Sequence, residues 1–266
     1  MEFFTIFLSS LLTIASPAGL VLDNIVESKF REQFQEVEQL EIRVDNVPSY
    51  QIIQGQAQRL RLASRGVYLF RGFRIDTFEL ETDVIDVDLS TLQQGGRNNF
   101  NQSLNQPLQG GFRIVITEED VNNLLRSPEI QSRIPEIINR LRGENQQTPS
   151  YELLNPQVDF LDNNRLEMRV QFQRLRGNNP EPLNIVLEMG FQSLDGKTIQ
   201  ILNPTGTINE RELSSRLLNG FAENIGNRLD LSKLDEKGIM TRLLQLQITN
   251  DNFNIAGFAR LEDDHE

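Results

Sequence analysis

The chain has 266 residues and a formal charge of −12, with 38 acidic and 26 basic side chains. That charge repels the phosphate backbone of nucleic acids, so we expect no nucleic-acid partner. The sequence contains no cysteine, which excludes disulfides, thiolate nucleophiles and cysteine-ligated metal centres. Its one histidine, His265, lies in an acidic terminal run. The sequence therefore offers no histidine suited to act as a packed catalytic imidazole.

An uncharged segment occupies residues 3–22, in which no Asp, Glu, Lys or Arg occurs. Three interpretations fit it: a secretory signal or membrane anchor, a helix lying in a membrane interface, and a buried core helix. Small residues near Ser16 favour a signal, whereas Glu2 and the missing basic residues oppose one. Thr and Ser side chains at helical spacing favour the interfacial helix. We expect residues 1–18 to be an apolar leader or membrane anchor, with cleavage left open, whose anchoring side chains are Phe3, Phe4, Phe7, Leu8, Leu11 and Leu12.

Two periods of apolar residues follow this segment. Residues 22–37 place apolar side chains every three or four positions, which predicts an amphipathic helix. From Leu40 the period becomes two and predicts the first strand. Three later segments also alternate and predict strands: residues 60–62, 67–69 and 75–89. The last one keeps a single apolar face only if a bulge falls near Val84 and Ile85, so we expect long, bent strands.

The middle of the chain combines a loop, a strand and a helix. Residues 93–109 are rich in Gln, Asn and Gly, and they predict a loop inside a single domain. Residues 112–116 alternate and predict a strand. Thr117 and Asp120 then have the spacing of a capping box, which predicts a helix that starts there and continues to residue 141 before a polar loop.

The second half repeats this order of strands and helix. Alternating segments predict strands at residues 158–161, 166–172, 183–194 and 198–202. Turn residues separate these strands at 162–164 and at 195–196. Residues 208–213 match residues 116–121 in pattern, so we expect a second helix start and a weak internal pseudo-repeat. Residues 243–249 and 253–259 predict a terminal hairpin around a polar turn.

Together these patterns predict one α+β domain over residues 19–262, with long antiparallel strands packed on amphipathic helices. With 16 Phe, 3 Tyr and no Trp, its interior consists of Phe, Leu, Ile and Val. We expect inward residues to line a lipid cavity, and the candidates are Phe30, Phe34, Phe78, Leu80, Phe112, Phe172, Leu187, Phe191 and Phe221. The alternative is a dry core, because apolar residues at these periods usually pack against one another.

Several segments together resemble the LmeA-like family of bacterial phospholipid-binding proteins, most closely its cyanobacterial members, over nearly the whole chain. They are SPAGL at residues 16–20, VDNVPSYQ at 44–51, the run 60–80, PLQGG at 107–111, residues 116–125 and the last hairpin. The resemblance implies phospholipid binding and a location in the cell envelope, either membrane-associated or periplasmic. It also implies a long curved antiparallel sheet wrapped around amphipathic helices, similar to tubular lipid-binding folds of the BPI type. It carries no catalytic motif.

Basic residues gather in one segment of this acidic chain, because residues 46–75 contain no Asp or Glu. Arginine binds phosphate through two parallel hydrogen bonds, and aromatic side chains beside it can enter a lipid interface. We therefore expect contacts with phospholipid headgroups or the membrane surface from Arg59, Arg61, Arg65, Arg71, Arg74, Phe70 and Phe73. The alternative is a solvated strand face, since exposed arginines are common on antiparallel sheets.

Acidic residues follow directly, at Asp76, Glu79, Glu81, Asp83, Asp86 and Asp88. Clustered carboxylates can recruit calcium, but the spacing of an EF-hand is missing. We interpret these residues as an acidic solvent face that guards a strand edge. We therefore predict no metal site.

These observations favour non-enzymatic phospholipid binding, with a role in lipid carriage or membrane maintenance in the cell envelope. The expected partners are a phospholipid or another acyl lipid and the membrane surface, and we predict no cofactor and no catalytic residue. The alternative is an envelope scaffold or interaction protein with a fully packed core, which an open apolar cavity would distinguish from a lipid binder. A hydrolase that uses a pair of carboxylates as acid and nucleophile ranks last. With 38 acidic residues, finding two of them near each other in the sequence is uninformative.

Overall fold

The computed structural model describes residues 31, 34–45, 51, 54–70, 72–91, 101–132, 151–174 and 182–262. Its strands are β1 (Glu36–Asp45), β2 (Gln56–Ala57), β3 (Arg59–Phe70), β4 (Phe73–Thr82), β5 (Ile85–Asp86), β6 (Leu108–Thr117), β7 (Tyr151–Leu161), β8 (Arg165–Arg174), β9 (Leu183–Leu194), β10 (Thr198–Ile208), β11 (Arg211–Glu212), β12 (Ile239–Ile248) and β13 (Asn252–Leu261). Helices include α1 (Glu118–Arg126) and α2 (Ser215–Arg228), with 3-10 helices η1 (Asn101–Ser103) and η2 (Leu231–Lys237). Short helical segments also cover residues 89–91 and 128–132.

Antiparallel strands form two large sheets. The first sheet has six strands in the order β1-β3-β4-β6-β13-β12, and the second has five in the order β11-β10-β9-β8-β7. β2 and β5 form a separate two-stranded sheet. In the part of the chain that the structure describes, both large sheets are open, because neither pairs its last strand with its first. The predicted combination of antiparallel strands with a few helices is confirmed, whereas the single long sheet is divided into two.

β1 begins within the segment for which the sequence predicts a helix. Val37 belongs to β1, where it lies opposite Val67 of β3 and is 5% exposed. The helix prediction is therefore wrong at its C-terminal end, and residues 22–30 lie outside the described residues. Phe34, Val37 and Leu40 are three positions apart, a spacing that also fits a helix. Pairing with β3 stabilises the strand instead.

The long strand predicted over residues 75–89 is two strands in different sheets. β4 ends at Thr82, and Val84 lies outside the strands with 50% of its surface exposed. β5 then pairs with β2, with Ile85 opposite Ala57. The predicted bulge is therefore wrong. The change of parity marks the passage from one sheet to another, since each strand buries its own alternate residues.

Tight turns join the strands of the second sheet where the sequence predicts them. Asn163 and Asn164, between β7 and β8, have left-handed backbone angles with φ of 62° and 57°. Asp195 and Gly196, between β9 and β10, have φ of 53° and 68°. Asn, Asp and Gly tolerate this conformation better than other residues, which is why they mark hairpin turns. The terminal hairpin of β12 and β13 is likewise confirmed.

The helix start predicted at residues 208–213 is wrong. Asn209 and Glu210 form a turn with φ of 47° and 66°, and β11 runs back along β10. α2 begins only after Ser214, whose hydroxyl accepts a hydrogen bond from the Leu217 N–H at 3.4 Å. Tight turns and helix caps use the same polar residue types, so the local pattern does not separate them.

α1 begins at the predicted capping box. The Thr117 hydroxyl accepts a hydrogen bond from the Asp120 N–H at 3.0 Å, and the Asp120 carboxylate accepts one from the Thr117 N–H at 3.4 Å. Glu118, Glu119 and Asp120 occupy the first turn, where the helix dipole stabilises negative charge. This cap determines where the chain leaves β6.

The first sheet holds the larger packed core. Its buried side chains are Phe34, Val37, Leu40, Leu60, Leu62, Val67, Ile75, Phe78, Leu80, Ile85, Val87, Leu104, Leu108 and Leu261. The second sheet has a smaller cluster around Leu153 and Val170. Val158 and Phe160 of β7 pack with Ile248 of β12 and thereby join the two sheets. Tight burial is therefore concentrated in the first sheet.

Turns of the second sheet occupy backbone groups along β12, the edge strand of the first sheet. The Asn164 side chain accepts a hydrogen bond from the Ile248 N–H at 2.9 Å and donates one to the Leu246 carbonyl at 3.3 Å. The Gly196 carbonyl accepts a bond from the Leu243 N–H at 2.6 Å. Unpaired groups on an edge strand invite other chains, so these bonds protect the edge and also join the sheets.

We expect Asn164→Ala to lower the free energy of unfolding by about 2 kcal/mol, because two backbone groups of β12 lose their partner. Asn163→Ala is the matched control. It has the same left-handed backbone, but its side chain makes no hydrogen bond within the described residues. Urea denaturation of the two variants measures the difference, and equal losses would contradict a joining role for the Asn164 side chain.

Candidate lipid-binding face

One face of the second sheet is apolar from β7 across to β10. Residues directly opposite each other in neighbouring antiparallel strands face the same side of a sheet. Met168 of β8 lies opposite Val158 of β7 and Leu187 of β9. Leu187 in turn lies opposite Gly206 of β10. Further rows extend this surface, which we name the apolar face: Phe160, Leu166 and Met189; Val170, Ile185 and Ile208; Leu153, Phe172 and Leu183; and Phe191 with Ile201.

The other face of these strands is charged. Arg169 of β8 pairs with Asp159 of β7 at 2.8 Å and with Glu167 at 2.6 Å. Arg165 pairs with Glu188 of β9. Alternation along β8 thus separates an apolar side from a solvated side. The apolar face is therefore the side of this sheet that can cover hydrocarbon.

Burial varies across the apolar face. Val170 is 8% exposed and Met189 is 5% exposed. Met168, Ile185 and Leu187, which lie between them, are only partly buried. Covering apolar surface is favourable by about 25 cal/mol per Å², so an acyl chain laid on these residues would gain free energy.

Gly206 leaves room for the Leu187 side chain. A Cβ atom at Gly206 would lie 2.5 Å from Leu187 Cδ2 and 3.3 Å from Leu213 Cδ1. Any larger residue at this position would therefore displace Leu187. α2 packs along β10, with Leu218 buried and Phe221 partly buried. α2 therefore lies at the β10 side of the second sheet.

Four of the side chains predicted to line a lipid cavity pack in the first sheet. Phe34, Phe78 and Leu80 are 6%, 3% and 5% exposed in its core. Phe112 packs against this core and also against a cluster that contains Leu243. A Cβ atom at Gly257 would lie 2.7 Å from the Phe112 ring, so the ring lies tightly over that glycine. Phe34, Phe78 and Leu80 are therefore covered by protein, and Phe112 is partly buried.

Four other predicted residues lie with the second sheet, namely Phe172, Leu187 and Phe191 on the apolar face and Phe221 on α2. Phe30 and the anchoring residues 3–12 lie outside the described residues. Sequence reasoning missed Met168 and Ile185, although both belong to the alternation that predicted β8 and β9. Their position beside one another depends on strand register, which sequence alone leaves open.

Arginines of β3 pair with acidic residues of the neighbouring strands. Arg59 lies 3.0 Å from Glu81 of β4. Arg61 lies 3.0 Å from Asp45 of β1 and 3.5 Å from Glu81. These cross-strand pairs neutralise two of the arginines predicted to meet headgroups.

The remaining members of that predicted set differ in their surroundings. Arg65 is exposed and makes no ion pair within the ranges that the structure describes. Phe73 is partly buried against the core of the first sheet. Arg71 and the side chain of Phe70 lie outside the described residues. Arg65 is therefore open to an external anion.

Arg74 is held by three carboxylates. Its guanidinium lies 3.0 Å from Glu38 of β1 and 3.2 Å from both Asp76 of β4 and Asp120 of α1. The Asp120 side chain is 5% exposed, so this ion pair is largely shielded from solvent. The hydrogen bond with Glu38 raises the pKa of Arg74, and the same bond lowers the pKa of Glu38. A headgroup would have to displace these carboxylates to reach Arg74.

The acidic residues after Arg74 support local structure. Glu79 pairs with Arg113 of β6 at 3.2 Å. Asp88 accepts hydrogen bonds from the hydroxyl and N–H of Ser90 and from Thr91, which lower its pKa to about 2. The prediction that these acids guard a strand edge is wrong for β4, which lies between β3 and β6. Pairing with cross-strand arginines explains the positions of Glu79 and Glu81 instead.

No helix within the described ranges is both long enough and apolar enough to cross a membrane.

Comparison with protein families identifies a match. The LmeA-like phospholipid-binding family matches residues 15–258, which is nearly the whole chain. No curated protein and no solved structure matches the chain. The matched residues include all four strands that form the apolar face.

Proposed function

The chain belongs to the LmeA-like phospholipid-binding family, and from this premise we propose that it holds phospholipid acyl chains against the apolar face of the second sheet. The observation that carries the proposal is the register of β8 and β9, which puts Met168, Phe172, Ile185 and Leu187 side by side and only partly buried. Acyl chains require apolar area and few directional contacts, which such a face supplies. The family description names binding and no reaction, in keeping with a role without catalysis.

The role that we propose is lipid carriage or membrane maintenance in the cell envelope. Residues 19–262 form the lipid-binding unit in this proposal, and residues 1–18 form the leader or anchor. The uncharged, apolar composition of residues 3–22 supports contact with a membrane. Arg65 is the proposed headgroup contact, because its exposed guanidinium can bind a phosphate through two hydrogen bonds.

Native mass spectrometry of the full chain, followed by lipid extraction, tests this proposal. We expect bound phospholipid in the native protein. Leu187→Asn places an amide at the centre of the apolar face with little change of size. It should weaken lipid retention roughly thirty-fold, equivalent to about 2 kcal/mol, because the amide must be desolvated beneath the acyl chain.

Val186→Asn is the matched control. Val186 is also partly buried on β9, but it lies opposite Arg169 and therefore on the charged face. Circular dichroism confirms that both variants fold. Native protein without phospholipid, or equal retention by the two variants, would contradict acyl-chain binding at the apolar face and favour the envelope scaffold.

A further inference from the structure

β12 presents a leucine to solvent at the position of a bulge. In the pairing with β13, Leu243 lies opposite Gly257 and Gln245 lies opposite Ala256, so Leu244 is the extra residue. Leu244 is 76% exposed, the largest exposed fraction among the large apolar side chains that the structure describes. Bulges are frequent next to functional sites. An apolar partner that covers Leu244 would gain free energy.

Leu244 belongs to an exposed row along β12. Met240 is 42% exposed and Arg242 is also exposed, and these residues alternate with buried ones. On β13, Arg260 lies opposite Met240 and the partly buried Phe258 lies opposite Arg242. We name Met240, Arg242 and Leu244 the β12 stripe. It is an apolar surface with a cation at its centre.

The turn between β9 and β10 brings a second leucine to this region. The Gly196 carbonyl accepts a hydrogen bond from the Leu243 N–H, one residue before Leu244. A Cβ atom at Gly196 would lie 3.8 Å from the Cβ of Arg242. Leu194, which precedes this turn, is 47% exposed. An exposed leucine of the other sheet therefore lies two residues before the glycine that contacts the stripe.

Both cations and carboxylates surround these leucines, and Asp195, next to Leu194 in the turn, is exposed. Arg242 makes no ion pair within the residues that the structure describes. Arg260 pairs with Glu262 at 3.1 Å, and Lys197 of the turn pairs with Asp235 at 2.5 Å. Among the described residues of this region, Arg242 therefore remains available to bind an external anion, whereas Arg260 and Lys197 already pair with carboxylates.

The backbone of β12 limits what can bind here. Its groups at Leu243, Leu246 and Ile248 already bond to Gly196 and Asn164. A strand from a second protein would find these positions occupied, so strand addition is disfavoured. Binding must use the side chains, and apolar tips beside a guanidinium suit the interface between lipid headgroups and acyl chains.

We propose that the β12 stripe, together with Leu194, is the surface by which the protein docks on bilayers that contain anionic phospholipid. Leu244 and Leu194 enter the interface, Met240 adds apolar area, and Arg242 binds a lipid phosphate. This inference rests on the proposed function, because a protein that takes up or delivers phospholipid must meet the membrane. The sequence patterns did not indicate this surface.

The absence of cysteine permits a direct test in the full chain, since one introduced cysteine can carry an environment-sensitive fluorophore. Leu244→Cys reports on the stripe, and Leu217→Cys, 58% exposed at the start of α2, is the matched control. The vesicles contain phosphatidylcholine and phosphatidylglycerol with quencher-labelled lipid. We expect quenching at position 244 and none at 217. Arg242→Gln should weaken vesicle binding roughly five-fold, equivalent to about 1 kcal/mol per basic residue.

Several outcomes would overturn the docking surface: failure to bind vesicles, an unquenched label at position 244 in vesicle-bound protein, or a label signal that rises with protein concentration without vesicles. The last would identify a second copy as the partner. Native mass spectrometry of the same proteins separates this failure from failure of the proposed function. Retained phospholipid without quenching at 244 refutes only the docking surface, whereas quenching in lipid-free protein supports it and contradicts lipid holding at the apolar face.

Discussion

Replacement of Asn122 by alanine is expected to lower the free energy of unfolding by about 3 kcal/mol, because two buried backbone groups lose their partner. Asn122 of α1 accepts a hydrogen bond from the Val158 N–H at 2.8 Å and donates one to the Val158 carbonyl at 2.8 Å. Val158 is 5% exposed on β7, the edge strand of the second sheet. Glu118, one turn earlier, accepts a bond from the Phe160 N–H at 2.7 Å. Side chains of α1 thus replace a neighbouring strand at this edge.

Asn123→Ala provides the matched control for this prediction. Asn123 is the next residue of α1 and is exposed, so its replacement changes helix propensity by the same amount without touching β7. Urea denaturation followed by circular dichroism measures both variants. If the two lose equal stability, or if neither does, the Asn122 amide does not support the edge of the second sheet.

Arg74→Met is the second large effect that we expect, with a loss of about 3 kcal/mol at neutral pH. Methionine keeps part of the apolar volume but removes the charge at which Glu38, Asp76 and Asp120 meet. The Asp120 carboxylate would remain buried near two other negative groups without a counter-charge. The same denaturation measurement gives the loss.

A surface arginine supplies the comparison for Arg74. Among the carboxylates that the structure describes, Arg113 pairs with Glu79 alone, and the two side chains are 48% and 47% exposed. Arg113→Met should therefore cost less than about 1 kcal/mol, as exposed ion pairs usually do. A loss as large as that of Arg74→Met would show that removal of any sheet arginine destabilises the chain.

The effect of Arg74→Met should also depend on pH. The pKa of Glu38 is lowered from 4.5 in the folded chain, chiefly by its hydrogen bond with Arg74. A group with a lowered folded pKa stabilises the protein above its unfolded pKa, and that contribution is lost as pH falls through the folded pKa. The stability difference between native chain and variant should therefore be complete at neutral pH and decline below pH 4.5. A difference that stays constant in acid would contradict this origin.

Features that depend on neighbouring residues were predictable from the sequence. Thr117 and Asp120 are three positions apart, so their capping box requires only the local chain. The turns at residues 162–164 and 195–196 follow from the backbone preferences of Asn, Asp and Gly. The strict alternation along β8 likewise predicted a strand with one apolar side.

Predictions failed where residues distant in sequence decide the conformation. Val37 fits a helical period, yet it lies in a strand because β3 pairs with it. Residues 208–213 resemble a helix start, yet Asn209 and Glu210 turn the chain back along β10. In both places the local preference is weak, and hydrogen bonds with another strand outweigh it.

The candidate site shows the same division between local and long-range information. Composition alone indicated an acidic protein with an interior of Phe and aliphatic residues, and it excluded cysteine chemistry. Periodicity predicted that residues such as Phe78 and Phe172 face inward. It could not predict which of them is fully buried, because both lie in segments with the same alternation of apolar and polar residues. Packing then buried Phe78 in the core of the first sheet and left Phe172 partly covered beside Leu183 on the second. Burial depends on which strands become neighbours, and that is a property of the tertiary structure.

The pairing of charged side chains was likewise decided by the tertiary structure. The sequence determined that arginines gather between residues 46 and 75, whereas the sheet decided which of them meet carboxylates, since Glu81 and Asp45 come from other strands. The exposure of Leu244 was equally a tertiary outcome, because it depends on which face of β12 the rest of the chain covers. Residue types therefore established which chemistry the chain can perform, and strand pairing established where that chemistry is accessible.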